Sequence, residues 1–304
     1  MPIAASKLKL LTTTLLFIPL LAVLAVPAMA DSEPMSGKQI MEEVYKRHEQ
    51  FPYIYEEQVM VLIDAAGNRD TRKLRRYSRL DSADNGRYLL LFDDPPEVRG
   101  VGLLTTITHP DSIQAGIYLP AFGDRLIESI GQNESESFLG TDFSVYDLLP
   151  EPLEKHHFQR QPNMVIDEVT YYIIDIYKQK NDQQEDAPPY KRHYIRQDNY
   201  YITRTDTFDR HGRIYKQQTH HDLKPLGGHM WRANMMLMEN MKTRHQTLIK
   251  IERRVFSRDY VPESLFTLQW LIDNQHMSRE EETTGNDKDT AAGTGAVSPT
   301  LGQL

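Results

Sequence analysis

The histidines are the side chains whose placement most invites a chemical reading. His156-His157, His220-His221-Asp222 and His229 offer imidazole and carboxylate groups of the kind that hold zinc or copper. Their spacing argues against a shared ion. Neighbouring residues of a strand point to opposite faces, so each pair presents one ligand per side, and solvated or capping histidines fit the pattern better. His48-Glu49 lacks the second histidine of a His-Glu-x-x-His helix, and the sequence holds neither a Gly-x-Ser-x-Gly elbow nor a glycine-rich phosphate loop. The expectation is a non-enzymatic protein with no catalytic residue, metal or cofactor.

Two other clusters suit binding rather than catalysis. Met230, Met235, Met236, Met238 and Met241 surround Trp231 and Leu237. Methionine is unbranched and polarizable, so such a wall either repacks around guests of different shape or simply fills a core. The second cluster is the run 137–149, closed by Pro150. Read as a helix, it places Phe138, Leu139, Asp142, Tyr146 and Leu149 at three- and four-residue steps, with Phe143 beside them, and so presents an aromatic face. Thr141 is positioned as N-cap, Asp142 suits a helix N-terminus, and Pro150 stops what precedes it. A core helix and a lid over an apolar guest both remain open.

The elements around this run are mostly strands. A helix is expected over 36–50, where Ser36 and Gln39 make a capping box and Ile40, Val44 and Tyr45 recur at helical spacing. Strand patterns follow at 53–64, 71–81 and 86–92, with turn signals at Ala66-Gly67-Asn68 and Asn85-Gly86. After Asp93-Asp94-Pro95-Pro96 they resume at 101–108, 112–119 and 124–130. Beyond the central run they continue at 165–178, 191–196, 201–208, 213–220, 230–238 and 247–256, with a polar loop over 181–189. Residues 262–272 have the pattern of a short closing helix behind Pro262. Many strands are apolar on both faces, as in 59–63 and 171–176, so helices must cover one face.

Composition bounds the setting. Lys7 and Lys9 precede an apolar run and Ala28-Met29-Ala30, the pattern of a secretory signal peptide over 1–30 cut after Ala30. The absence of cysteine excludes disulfides and a lipid-modified cysteine. Of 35 basic side chains Lys7 and Lys9 leave with that segment, so 33 face 43 acidic ones, a balance of -10 that disfavours nucleic acid as a partner. Arg72-Lys73-Leu74-Arg75-Arg76 is the densest basic stretch and has the alternation of a solvated strand face. Residues 31–272 read as one domain. The tail, 273–304, has almost no large apolar residue and reads as disordered.

The blocks Gly102-Leu103-Leu104-Thr105, Tyr118-Leu119-Pro120-Ala121 and Ser137-Phe138-Leu139-Gly140-Thr141-Asp142-Phe143-Ser144 together resemble the outer-membrane lipoprotein-sorting-protein-like family, related to the periplasmic carrier LolA. The resemblance runs roughly over 37–272. It departs at Gly116, where members commonly carry tryptophan, and at 124–128, where one arginine stands among acids instead of a basic segment.

The resemblance implies an α+β fold: a strongly curved antiparallel sheet, a half-open β-barrel, with helices covering its concave face. It implies a periplasmic monomer that shields a lipid or an acylated lipoprotein, working with an inner-membrane exporter of the resistance-nodulation-division (RND) superfamily. A lipid-sensing regulatory module that binds a periplasmic protein is the alternative. Phe138, Leu139, Phe143, Tyr146 and Leu149 are the expected lid, and Leu103, Leu119, Trp231, Met236 and Met238 the expected cavity wall.

Overall fold

A computed structural model of the chain describes residues 34–82, 85–108, 112–123, 125–127, 136–178 and 187–273. The expected signal segment and the tail after Asp273 lie outside the described residues, as does most of the loop expected over 181–189. Helix α1 (Gly37–His48) starts as expected: Gln39 N–H donates to Ser36 Oγ at 3.3 Å, and Ser36 N–H donates to Gln39 Oε1 at 2.8 Å. Gly37 permits its close approach to a strand, since a Cβ there would lie 2.4 Å from the Phe158 carbonyl oxygen.

The strands are β1 (Tyr53–Ile63), β2 (Arg69–Ser82), β3 (Asn85–Asp94), β4 (Gly102–Thr108), β5 (Ile113–Tyr118), β6 (Leu126–Ile127), β7 (His156–Ile166), β8 (Val169–Lys178), β9 (Lys191–Arg196), β10 (Ile202–Phe208), β11 (Ile214–Gly227), β12 (Met230–Asn240) and β13 (His245–Val255). Among the described residues all belong to one antiparallel sheet, in the order β6-β5-β4-β3-β2-β1-β13-β12-β11-β10-β9-β8-β7. Two meanders thus meet where β1 pairs with β13, with Met60 opposite Ile249 and Glu56 opposite Arg254. A 3-10 turn (Glu263–Phe266) and helix α2 (Leu268–Asp273) close the described chain.

Both apolar faces of the sheet are covered, by different segments. Successive strand residues alternate sides, so Leu90 and Phe92 of β3 pack with Met60, Leu62, Leu74, Leu103 and Ile117, and that cluster takes in Phe138, Phe143 and Val145 of the central run. Leu89 and Leu91 pack on the other side with Tyr55, Tyr77, Leu104 and Tyr118, against Val261, Leu265, Phe266 and Leu271 of the closing segment. The ladder of opposed residues Met238, Gln218, Thr205, His193 and Ile174 places the cluster under α1, built on Ile174, Ile176 and Ile195, on the first of these faces. The expectation that helices cover one face is therefore corrected: α1 shares a face with the central run, whereas α2 covers the opposite face.

The central run is not the expected helix. Leu139 (φ 49°) and Gly140 (φ 74°) take left-handed conformations that reverse the chain, and Ser137 bridges back to Ser144. The Thr141 hydroxyl is not an N-cap; it reaches the Phe138 carbonyl at 2.8 Å and the Phe143 carbonyl at 3.2 Å. Only Val145–Leu148 winds, as a 3-10 turn capped reciprocally by Ser144 and Asp147. The strand expected over 165–178 also divides, because Asp167 (φ 48°) and Glu168 (φ 66°) make a two-residue hairpin turn between β7 and β8.

Candidate functional site

The topology forces the central run across the sheet. It belongs to the connection between β6 and β7, the two edge strands, and residues 136–151 form a strap over the face that α1 also covers. Polar anchors follow it in sheet order. Arg72 of β2 donates to the Leu139 carbonyl at 2.8 Å, and Thr247 of β13 donates to Asp142 Oδ2 at 2.8 Å. Lys216 of β11 lies 3.5 Å from Asp147, and Lys191 of β9 forms an ion pair with Glu151 and lies 3.8 Å from Asp147. Burial works against the Lys191 charge, but Glu151, Tyr190 and Asp147 outweigh it and hold its pKa well above the ordinary value. The α1 side chain Tyr45 donates to the Glu151 carbonyl at 2.7 Å.

Between α1, the end of the strap and the sheet lies a cavity of about 270 Å³. Val44, Ile54, Leu80, Leu148, Pro150 and Met236 supply much of its apolar wall. A neighbouring cavity of about 340 Å³ shares Tyr45, Glu49, Leu80, Tyr88 and Pro150 with it.

The first cavity also has a charged side. Glu56 is buried; its Oε1 accepts from Arg254 Nε at 2.6 Å, its Oε2 accepts from Gln58 at 2.6 Å, and Arg76 stands 3.6 Å away. Burial opposes the Glu56 charge, yet Arg254 and Arg76 keep its pKa below the usual range. Burial and the Arg232 charge push the His48 pKa down to about 4, so its ring is neutral at pH 7. Nε2–H then donates to the Asn199 carbonyl at 3.2 Å, and Nδ1 accepts the Trp231 amide at 3.2 Å.

Of the residues expected to bind cargo, Met236 lines the cavity. Phe138 and Phe143 are packed into the core beneath the strap with Leu103 and Met238, and Leu139, Leu149 and Leu119 are half-buried against that core. Tyr146 is half-buried on the 3-10 turn, and Trp231 meets α1 through its backbone amide. The strap residues at the cavity are instead Leu148 and Pro150. Sequence reasoning missed the charged side. Its signal was parity, since Glu56, Gln58, Met60 and Leu62 share one side of β1.

The basic stretch of β2 needs a correction as well. Arg72 and Arg76 do not lie on a solvated face; they flank buried Leu74 and donate to the strap carbonyls of Leu139 and Leu148, the latter at 3.4 Å. The paired histidines divide between faces as expected: His220 Nδ1 is 2.7 Å from the Ile202 carbonyl, while His221 is exposed. Among the described residues no three His, Cys, Asp or Glu side chains converge as metal ligands.

A family model described as "-like: Uncharacterized protein" matches residues 84–273. No curated protein matches the sequence. Among solved structures, a Vibrio parahaemolyticus domain named for outer membrane lipoprotein sorting is similar at 23% identity and a TM-score of 0.69, covering 77% of this chain and 97% of its own. A DUF1329 family protein from Desulfovibrio piger is similar at 21% identity and a TM-score of 0.66, covering 76% of this chain and 98% of its own. A LolA superfamily protein from Nitrosomonas europaea is similar at 14% identity and a TM-score of 0.58, covering 77% and 98%. These similarities are similarities of fold.

Proposed function

We propose that the chain, which belongs to the family whose model matches residues 84–273 and is similar in fold to the lipoprotein-sorting and LolA superfamily structures, is a periplasmic, non-enzymatic carrier of lipid or acylated lipoprotein. The observation that carries this reading is the cavity of about 270 Å³ walled by α1, the strap and one sheet face. On this reading that face is the concave, cargo-bearing side. Each methylene buried there contributes about 0.8 kcal/mol, and release becomes practicable when strap contacts replace cargo contacts. Cleavage after Ala30, a monomeric state and delivery to or from an RND-type exporter belong to the same proposal, the exporter on the resemblance alone. Nothing in the fold favours the regulatory-module alternative.

Gentle purification from the periplasmic fraction, followed by native mass spectrometry and lipid extraction, tests the reading. A discrete lipid adduct on a chain beginning at Asp31 is the expected result. A lipid-free protein that also fails to bind a fluorescent acyl probe overturns it.

A further inference from the structure

The charged side of the cavity holds more cation than the fold neutralises. Arg254 is fully engaged: beyond Glu56, it donates to Asn234 Oδ1 at 3.4 Å and to the Ala233 carbonyl at 2.9 Å. The Glu56 carboxylate is spent on Arg254 and Gln58, which leaves Arg76 at 3.6 Å, beyond hydrogen-bond reach, with one long bond to the Leu148 carbonyl at 3.4 Å. Among the described residues Arg232 donates only to the backbone carbonyls of His48 and Trp231. Among the described residues no carboxylate lies within ion-pair distance of it.

The other titratable groups facing this space leave an excess of cation, since three guanidinium groups face at most two carboxylates, Glu56 and Glu49. His48 and His220 are held neutral by burial, both with lowered pKa values. Glu49 is exposed on the rim, and desolvation raises its pKa against the pull of Arg232. Arg76, Arg232 and Arg254 line the same cavity, and Arg254 reaches the carbonyl of Ala233, the residue next to Arg232. A cluster of this kind in an otherwise apolar wall is suited to an oxyanion, because a guanidinium fork meets carboxylate or phosphate oxygens with two parallel hydrogen bonds.

We propose that the cavity takes an amphiphile with an anionic head and one apolar tail, the head held by Arg232 and Arg76 and the tail lying along Val44, Leu148 and Met236. This inference rests on the carrier reading and narrows it: the acyl groups of a lipoprotein carry no such anion. The head is a carboxylate or a phosphate monoester, and the chemistry that recognises either is the same.

Binding of a fluorescent polyene fatty acid and of its methyl ester to the full chain at low salt tests this. Lysophosphatidic acid and lysophosphatidylcholine of equal chain length serve as competitors. The acid is expected to bind at least tenfold more tightly than the ester, and Arg232→Gln is expected to bring that ratio below threefold. Arg196→Gln, on a half-buried residue paired with Asp198 and outside the cavity lining, is expected to leave the ratio as it is. Competition by lysophosphatidic acid far stronger than by lysophosphatidylcholine extends the site to phosphate.

Equal binding of acid and ester by the unaltered protein overturns the anion site and leaves the carrier reading standing. Binding of neither overturns both. Should Arg232→Gln fail to fold, the ratio in the unaltered protein and its response to Arg76→Gln decide.

Discussion

Asp142 Oδ2 lies 2.6 Å from Nδ1 of His245 and accepts from the Thr247 hydroxyl at 2.8 Å, while the Asp142 amide donates back to that hydroxyl at 2.9 Å. Asp142 and Thr247 are both buried, so the middle of the strap is clasped to β13 away from water. Thr247→Val keeps the shape and removes both bonds. It is expected to cost about 2–3 kcal/mol in urea unfolding and to raise hydrogen exchange across residues 139–149. Unchanged exchange there would show that the clasp does not hold the strap.

Phe143 is fully buried in the cluster that joins the strap to β1, β3 and β13. The sequence pattern left open both a core element and a lid lying over the sheet's own core. In the structure the strap is part of that core. Phe143→Ala is therefore expected to cost about 3–5 kcal/mol, and Phe143→Asp, which buries an unpaired carboxylate, to yield no cooperatively folding protein by circular dichroism. A folded Phe143→Asp protein with altered probe binding would return the strap to the role of a loose lid.

Met236 is half-buried and lines the cavity, so a larger side chain there fills the space without breaking a polar contact. Met236→Trp is expected to weaken acyl-probe binding at least tenfold while the melting temperature holds or rises. Undiminished binding would move the cargo site elsewhere.

His48 and His193 are bases whose folded pKa values, about 4 and about 3, lie below the ordinary 6.5 because burial disfavours their charge. The unfolded chain then binds more protons than the folded one, and the stability these groups contribute is complete above about pH 6.5 and lost as pH falls toward 4. Each is expected to account for a loss of about 2 kcal/mol between pH 7 and pH 5, read as the change in unfolding free energy in urea. His48→Gln should remove its share of that difference. A free energy unchanged over this interval would contradict the burial of neutral rings.

Periodicity made much of this architecture legible. The Ser36 capping box, the turn signal at Ala66-Gly67-Asn68 and the period-two strands are local, and each is found close to where the pattern puts it, whereas Asn85-Gly86 lies paired within β3. The strap misled because its apolar spacing is helical while Leu139-Gly140 reverses the chain, and a reversal erases any face counted through it. Strand β7 was missed because Gln159, Arg160, Gln161, Pro162 and Asn163 carry no apolar alternation. The arginine cluster was hidden for a different reason. Arg76, Arg232 and Arg254 come together only through the pairing of β1 with β13 and the approach of α1, and no local pattern encodes either.

The strap belongs to the connection between the two margins of the sheet. Thirteen strands at about 4.8 Å apiece place β6 and β7 about 58 Å apart along the sheet, and the chain joining them is anchored to strands partway across. On the carrier reading, a guest that lifted the strap would strain its anchors from β2 to β9 together, so loading at one end would reach strands far from the cavity.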